Sequence, residues 1–202
     1  WVIGRNSLIM YTNNGGETWN TQLENSLNFG ISIFFIDESE GWAITWDAIY
    51  HTENKGNTWI EQECPEISGH MQDIYFINSD TGYIVGYKKI ILRTTDGGDN
   101  WSKIMNTPSY FPGFQSISFL NDTVGFAVGG EYFGYGLIMK TSDGGLSWVD
   151  CSIPYTAGHS KVLFLDSLNG WISGWGGDLR RTIDGGNSWV DLSDSKYFDI
   201  MD

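Results

Sequence analysis

The sequence predicts an all-β chain folded as a β-propeller of four-stranded antiparallel blades, and three observations carry that prediction. A nine-residue phrase returns five times: "YTNNGGETW" from Tyr11, "HTENKGNTW" from His51, "RTTDGGDNW" from Arg93, "KTSDGGLSW" from Lys140 and "RTIDGGNSW" from Arg181. Its closing tryptophans stand 40, 42, 47 and 41 residues apart. A second motif interleaves with it: "FFIDESEGWAI" from Phe34, "YFINSDTGYIV" from Tyr75, "SFLNDTVGFAV" from Ser118 and "LFLDSLNGWIS" from Leu163. Finally, each unit parses into four short runs rich in Ile, aromatic and β-branched residues, with no sustained helical period. A period of this length holding four strands is that of a propeller blade.

The elements follow in order within a unit. In the second they are "ISIFFI", "GWAITW", "AIYHT" and "TWIEQ", each of strand length and bounded by turn residues. The units run about 1–41, 42–82, 83–125, 126–170 and 171–202, forming one propeller domain. A lone blade cannot cover both its faces, so the units must stack on one another. Trp1 matches the aromatic of the second motif, and the stretch "YFDIMD" from Tyr197 matches the start of a first strand. Five copies fit either a closed five-blade ring or, as the favoured expectation, a portion of a six- to eight-blade propeller truncated at both ends.

The nine-residue box admits three readings: a catalytic acid, a calcium loop or a turn. Asp96, Asp143 and Asp184 become Asn14 and Asn54 in the first two copies. An Asn is neither a proton donor nor a full-strength calcium ligand, but its side-chain oxygen still accepts a backbone hydrogen bond, as in an Asx turn. The glycine present in every copy (Gly16, Gly56, Gly98, Gly145, Gly186) suits a backbone with positive φ. Trp19, Trp59, Trp101, Trp148 and Trp189 each offer a large apolar surface, worth about 2–3 kcal/mol when covered. The box is expected to be a structural turn joining strand 3 to strand 4.

Composition narrows the partners. The chain has 202 residues, 41% hydrophobic and 15% aromatic, with a net charge of −14 and 11 basic residues. Such a chain buries a core of its own. Nucleic acid and anionic membrane surfaces are poor partners for so acidic a protein. The most apolar run, "ISIFFI", is far shorter than the roughly 20 residues that span a bilayer. Cys64 and Cys151 show no CxxC spacing, so no metal or redox motif is expected, and their redox state is left open. His70 and His159 occupy nearly equivalent places and read as plain loop histidines. No metal and no cofactor is expected.

These boxes resemble the Asp-box (BNR) repeat, whose pattern is Ser/Thr-x-Asp-x-Gly-x-Thr-Trp, and the "F-x-D-x-x-x-G-W" half resembles the photosystem II assembly and stability factor family and its bacterial relatives. The resemblance covers the whole chain. It implies a propeller, commonly of six to eight blades, in secreted, cell-surface or periplasmic proteins. The same box occurs in sialidases and xyloglucanases, so it speaks to fold rather than activity. Sialidases that resemble this fold need three convergent arginines, and this chain has Arg5, Arg93, Arg180 and Arg181, two of which share one repeat position. Whether the chain is an enzyme stays open, with the residues pointing away from it; an enzyme here would be a glycoside hydrolase. No catalytic residue is assigned.

A ligand is expected on the face opposite the hairpin turns, where the units differ most. The loop "MNTPSYFPGF" places Tyr110, Phe111 and Phe114 there, and "GGEYFGYG" adds Tyr132, Phe133 and Tyr135. Trp46 and Trp175 end strand 2 in their units and would share that rim. These aromatics either form a stacking platform for a sugar or peptide or cover the top of the core. Arg180 stands in a column of Met10, Tyr50, Leu92 and Met139, where a charge marks an exposed edge or a partner contact. The favoured function is a non-catalytic extracytoplasmic binding or assembly scaffold, its partner a protein or glycan on the loop face. The alternatives are a glycan-binding or glycoside-hydrolase-related propeller and a purely architectural spacer in a large surface protein. Oligomeric state is left open.

Overall fold

The computed structural model describes residues 1–5, 9–23, 29–67, 69–105, 113–131 and 135–193. Among these, five antiparallel sheets follow one another along the chain. The first has three described strands, β1 (Val2–Ile3), β2 (Ile9–Tyr11) and β3 (Asn20–Leu23). The second is β4 (Gly30–Phe35), β5 (Gly41–Thr45), β6 (Ile49–Thr52) and β7 (Ile60–Gln62), the four runs expected from the sequence. The third is β8 (Met71–Phe76), β9 (Gly82–Gly86), β10 (Ile90–Thr94) and β11 (Ser102–Met105). Then come β12 (Phe114–Phe119), β13 (Gly125–Glu131), β14 (Tyr135–Thr141) and β15 (Val149–Asp150), and finally β16 (His159–Phe164), β17 (Gly170–Gly174), β18 (Leu179–Thr182) and β19 (Val190–Asp191). These are blades one to five of a propeller. The expected unit boundaries fall at the first residue of strand 2 in each sheet, whereas each four-stranded sheet begins at strand 1, which pairs with the strand 2 that follows it.

The two interleaved motifs meet at the seams between blades, which explains their spacing. The last residue of each first strand lies on the strand-2 aromatic of the preceding blade. Phe35 stacks on Trp1 at 4.1 Å, Phe76 on Trp42 at 3.5 Å, Phe119 on Tyr83 at 4.4 Å and Phe164 on Phe126 at 5.1 Å between ring centroids. The box tryptophan of the same blade meets that Phe edge-on: Trp59, Trp101, Trp148 and Trp189 at 5.9, 5.9, 6.1 and 5.9 Å. Offset stacks and edge-on contacts of this kind add to the apolar burial itself. Box glycine completes the seam. A Cβ on Gly145 would lie 2.4 Å from the Tyr83 ring and one on Gly186 2.3 Å from Phe126, at φ of +75° and +74°. Both the close approach and the left-handed backbone require glycine there.

The box itself is one hydrogen-bonded turn built five times. The Thr hydroxyl (Thr12, Thr52, Thr94, Thr141, Thr182) accepts the glycine N–H at 2.8–3.0 Å. It donates to the Asp or Asn Oδ1 at 2.7–3.1 Å. That Oδ1 accepts the N–H four residues on, at 2.9–3.0 Å. The Asp/Asn alternation is matched by its partner. Asn14 and Asn54 donate through Nδ2 to the hydroxyls of Thr18 and Thr58, whereas Asp143 and Asp184 accept from Ser147 and Ser188 through Oδ2.

This geometry holds the Asp143 carboxyl down at about 2, chiefly through the Ser147 hydroxyl and then its backbone N–H, and Asp184 likewise at about 2 through Ser188. Both lie below the ordinary carboxylate value, so their stabilising contribution is present above about pH 4 and is lost as pH falls towards 2. The double variant Asp143→Asn, Asp184→Asn should fold, since a rotating Ser hydroxyl can accept from Asn Nδ2. Its loss of stability on acidification, followed by tryptophan fluorescence between pH 5 and about 2, should be shallower than that of the parent. An unchanged acid profile would show that these turns do not govern acid unfolding.

Blade five departs from the pattern. His159 is fully buried, with Nδ1 2.9 Å from Asp178 Oδ2. Arg180 donates through Nε to Asp178 Oδ1 at 2.9 Å and through Nη2 to Asp191 at 3.2 Å. These residues replace the apolar side chains of other blades: His159 pairs with Gly174 as Met71 does with Gly86 and Phe114 with Gly129. The expectation of a loop histidine at 159 and an exposed or partner-facing arginine at 180 is thus corrected. Both lie inside the blade because Asp178 gives each a hydrogen-bond partner there.

Candidate loop-face site

The box turns of blades two to five are each tied back to the strand 1–2 hairpin of the same blade. The N–H groups of Lys55, Gly97, Gly144 and Gly185 donate to the carbonyls of Ser39, Asp80, Thr123 and Leu168 at 2.9–3.0 Å. Asp37 and Asp166 accept two N–H groups apiece within those hairpins, which holds both carboxyls below their ordinary range. The conspicuous acids of this face are therefore occupied in holding turns. The strand 2–3 and 4–1 connections lie at the opposite ends of the strands and make the loop face.

One column, four residues after the strand-2 aromatic position, supplies that face with Arg5, Trp46, Tyr87, Gly130 and Trp175. Trp46 stacks on Phe29 with centroids 4.8 Å apart, and Arg5 places its guanidinium 5.6 Å over the Phe29 ring. On the other side Trp46 meets His70 at 5.0 Å, and its carbonyl accepts the Met71 N–H at 3.2 Å. Tyr87 adjoins them, its N–H donating to the His70 carbonyl at 2.9 Å. It opens a turn in which Lys88 and Lys89 both take positive φ, of 58° and 52°. Phe29, Trp46 and Tyr87 are 40%, 40% and 43% exposed. The result is an open row, Arg5–Phe29–Trp46–His70–Tyr87, running across three blades.

The other expected platform residues are placed differently. Trp175 is half-buried and opens the matching turn in blade five, its N–H bonded to the Gly158 carbonyl at 3.0 Å. Tyr135 stands 70% exposed at the start of β14. Phe114 is a correction: it begins β12 opposite Gly129 and is fully buried in the seam core, where no ligand reaches it. Tyr110, Phe111, Tyr132 and Phe133 lie outside the described residues. Phe29 and Tyr87 were not among the expected rim residues, although Tyr87 shares the column of Trp46 and Trp175 and was legible from it, and His70, expected as a plain loop histidine, is exposed in the connection before β8.

Next to Trp46 in sequence and in its contact with His70, an opening of about 520 Å³ is lined by Asp47, Cys64, Pro65, Glu66, Ile67 and His70. Cys64 and Cys151 are free, and burial pushes the Cys64 thiol upward. Among the described residues no group of three or more His, Cys, Asp or Glu is placed to hold a metal ion.

Comparison with known proteins agrees with this architecture. The family described as "Photosynthesis system II assembly factor YCF48" matches residues 62–152. The chain is similar to the photosystem II assembly lipoprotein Ycf48 of Synechococcus sp. (strain CC9902), 25% identical over 71% of this chain and 42% of that protein. It spans less than half the length of the curated relatives it matches. Among solved structures, YCF48 bound to D1 peptide superposes with a TM-score of 0.51 at 20% identity, over 95% of this chain and 76% of that one. A GH74 enzyme from Niastella koreensis superposes at 0.75 with 13% identity, over 96% and 35%. At such identities the structures establish the fold alone. The chain is a BNR-repeat β-propeller that resembles the photosystem II assembly and stability factor family.

Proposed function

We propose that this chain is a non-catalytic, extracytoplasmic protein-binding scaffold whose loop face holds a segment of a partner protein. The observation that carries the reading is the exposed row Phe29–Trp46–Tyr87, in which large aromatic surface stays open on the face where blades differ. Rigid aromatic side chains of this kind are the usual anchors of protein interfaces. The likeness to a YCF48 that carries a bound peptide supports a protein segment as the ligand, and the likeness to a lipoprotein supports an extracytoplasmic setting. The partner is a property of this chain's own residues, and the D1 peptide is not carried over to it.

The test is selection of ligands from a random peptide display library and, in parallel, from an immobilised glycan array. Peptides should be retained, and Trp46→Ala and Tyr87→Ala should each weaken the best of them by about tenfold or more, as for interface anchors. Retention of glycans alone, through the same two residues, would replace this reading by a glycan-binding one. Failure of both libraries would leave an architectural spacer.

A further inference from the structure

We infer that the opening next to Trp46 takes an extended segment bearing an apolar anchor flanked by Lys or Arg, an inference that rests on the peptide-binding reading above and gives its ligand a chemistry. The lining includes the apolar Cys64, Pro65 and Ile67, and His70 of the lining meets Trp46. An apolar side chain seated there would meet apolar surface. Two carboxylates share the lining: Asp47 and Glu66 are exposed, and the lining includes no Lys or Arg. Thr45 donates to Asp47 Oδ1 at 3.2 Å, fixing that side chain in place, and Lys103 reaches Glu66 at its backbone carbonyl rather than its carboxylate.

The acidic lining continues past this opening. A second opening of about 490 Å³ shares Asp47 and Cys64 with the first and adds Glu61 and Glu63. The two adjoin at the outer strand of blade two, where Glu61 and Gln62 of β7 line the second. Ile60 of that strand is 70% exposed, so the edge itself offers apolar surface. Charge decides what fits. The chain carries −14 overall, and an acidic segment entering here would meet the like charges of Asp47, Glu61, Glu63 and Glu66. A basic one is steered towards these carboxylates and pairs with them. The surface also accepts guanidinium on its aromatics, since Arg5 already sits over Phe29.

The probe is a fluorescein-labelled dodecapeptide with a central Leu-Pro-Leu flanked by lysines, compared with the same peptide carrying Glu or Ser in place of Lys, by fluorescence anisotropy. The Lys peptide should bind the whole chain, and the Glu and Ser peptides should not. Asp47→Asn with Glu66→Gln should weaken it about tenfold, and raising the salt from low to high should weaken the parent likewise. Glu17→Gln with Asp122→Asn removes the same charge from exposed sites elsewhere and should change binding less than about twofold. Equal loss in both double variants, or equal binding of the Ser peptide, overturns the proposal. So does a Lys peptide that fails while library-selected peptides bind through Trp46, and in that case the broader reading stands. If no peptide of any kind binds through Trp46 or Tyr87, both fall together.

Discussion

Replacing Phe76 by Ala is expected to lower the free energy of unfolding by about 3–5 kcal/mol, the range for truncating a buried Phe. Phe76 is 2% exposed. It lies 3.5 Å from the Trp42 ring at an interplanar angle of 12° and meets Trp101 edge-on at 5.9 Å. Gly82 closes beneath it, where even a Cβ would come within 2.5 Å of the ring. Its neighbours are thus rigid rings and backbone, which cannot swing in to fill the space. The cavity term should therefore stay near its full value. Urea unfolding followed by tryptophan fluorescence reads this directly, because Trp42 and Trp101 line the defect. Phe76→Leu should recover part of the loss by refilling the volume. Since blades contact only their neighbours, the damage should concentrate at the seam between blades two and three and broaden the transition. A loss under about 1 kcal/mol would mean that the seam collapses freely and that the aromatic stack does not hold it.

That seam was legible in the sequence because its chemistry repeats. Phe76, Gly82 and Trp101 recur in the same order in four copies, with the Phe-to-Gly spacing unchanged, and repetition exposes a constraint that one copy would hide. The box turn was legible for the same reason, with Asn14 and Asn54 excluding chemistry that Asp96 alone would have allowed. Residues that break the repeat were harder to place. His159, Asp178 and Arg180 look like surface charges, yet Asp178 bonds to both of the others inside blade five, and only the register that brings Asp178 beside His159 shows it. Phe114 follows Pro112 and Gly113 and reads as loop, but β12 begins on it, and its position opposite Gly129 commits the ring to the core. The open row on the loop face was half legible. Trp46 and Tyr87 share a repeat column, whereas Phe29 precedes its strand and joins Trp46 through tertiary contact alone.

Asp73→Ala should cost about 3 kcal/mol, the scale for leaving buried polar partners without their acceptor. Asp73 stands on the first strand of blade three in a column with Ser32, Ser116 and Lys161. Its Oδ1 accepts from the Ser32 hydroxyl at 2.9 Å and from its own neighbour Ile74 N–H at 3.1 Å, and Oδ2 accepts the Ile117 N–H at 3.1 Å. One carboxyl thus ties blades two, three and four at their inner strands. Burial pushes its pKa above the ordinary value, against the opposing pull of Lys161 and these hydrogen bonds. The sign is therefore opposite to that of the box aspartates. A carboxyl raised in the folded state favours folding most when protonated, below about pH 4, and that contribution is lost as pH rises through the folded value. Comparing the parent with Asp73→Asn isolates this group, because the box aspartates are common to both and cancel. The stability advantage of the parent should shrink as pH is raised from acid towards neutrality. An advantage that grows with pH would instead mean that Lys161 and the hydrogen bonds outweigh burial, making the ionised carboxylate the form that holds the blades together.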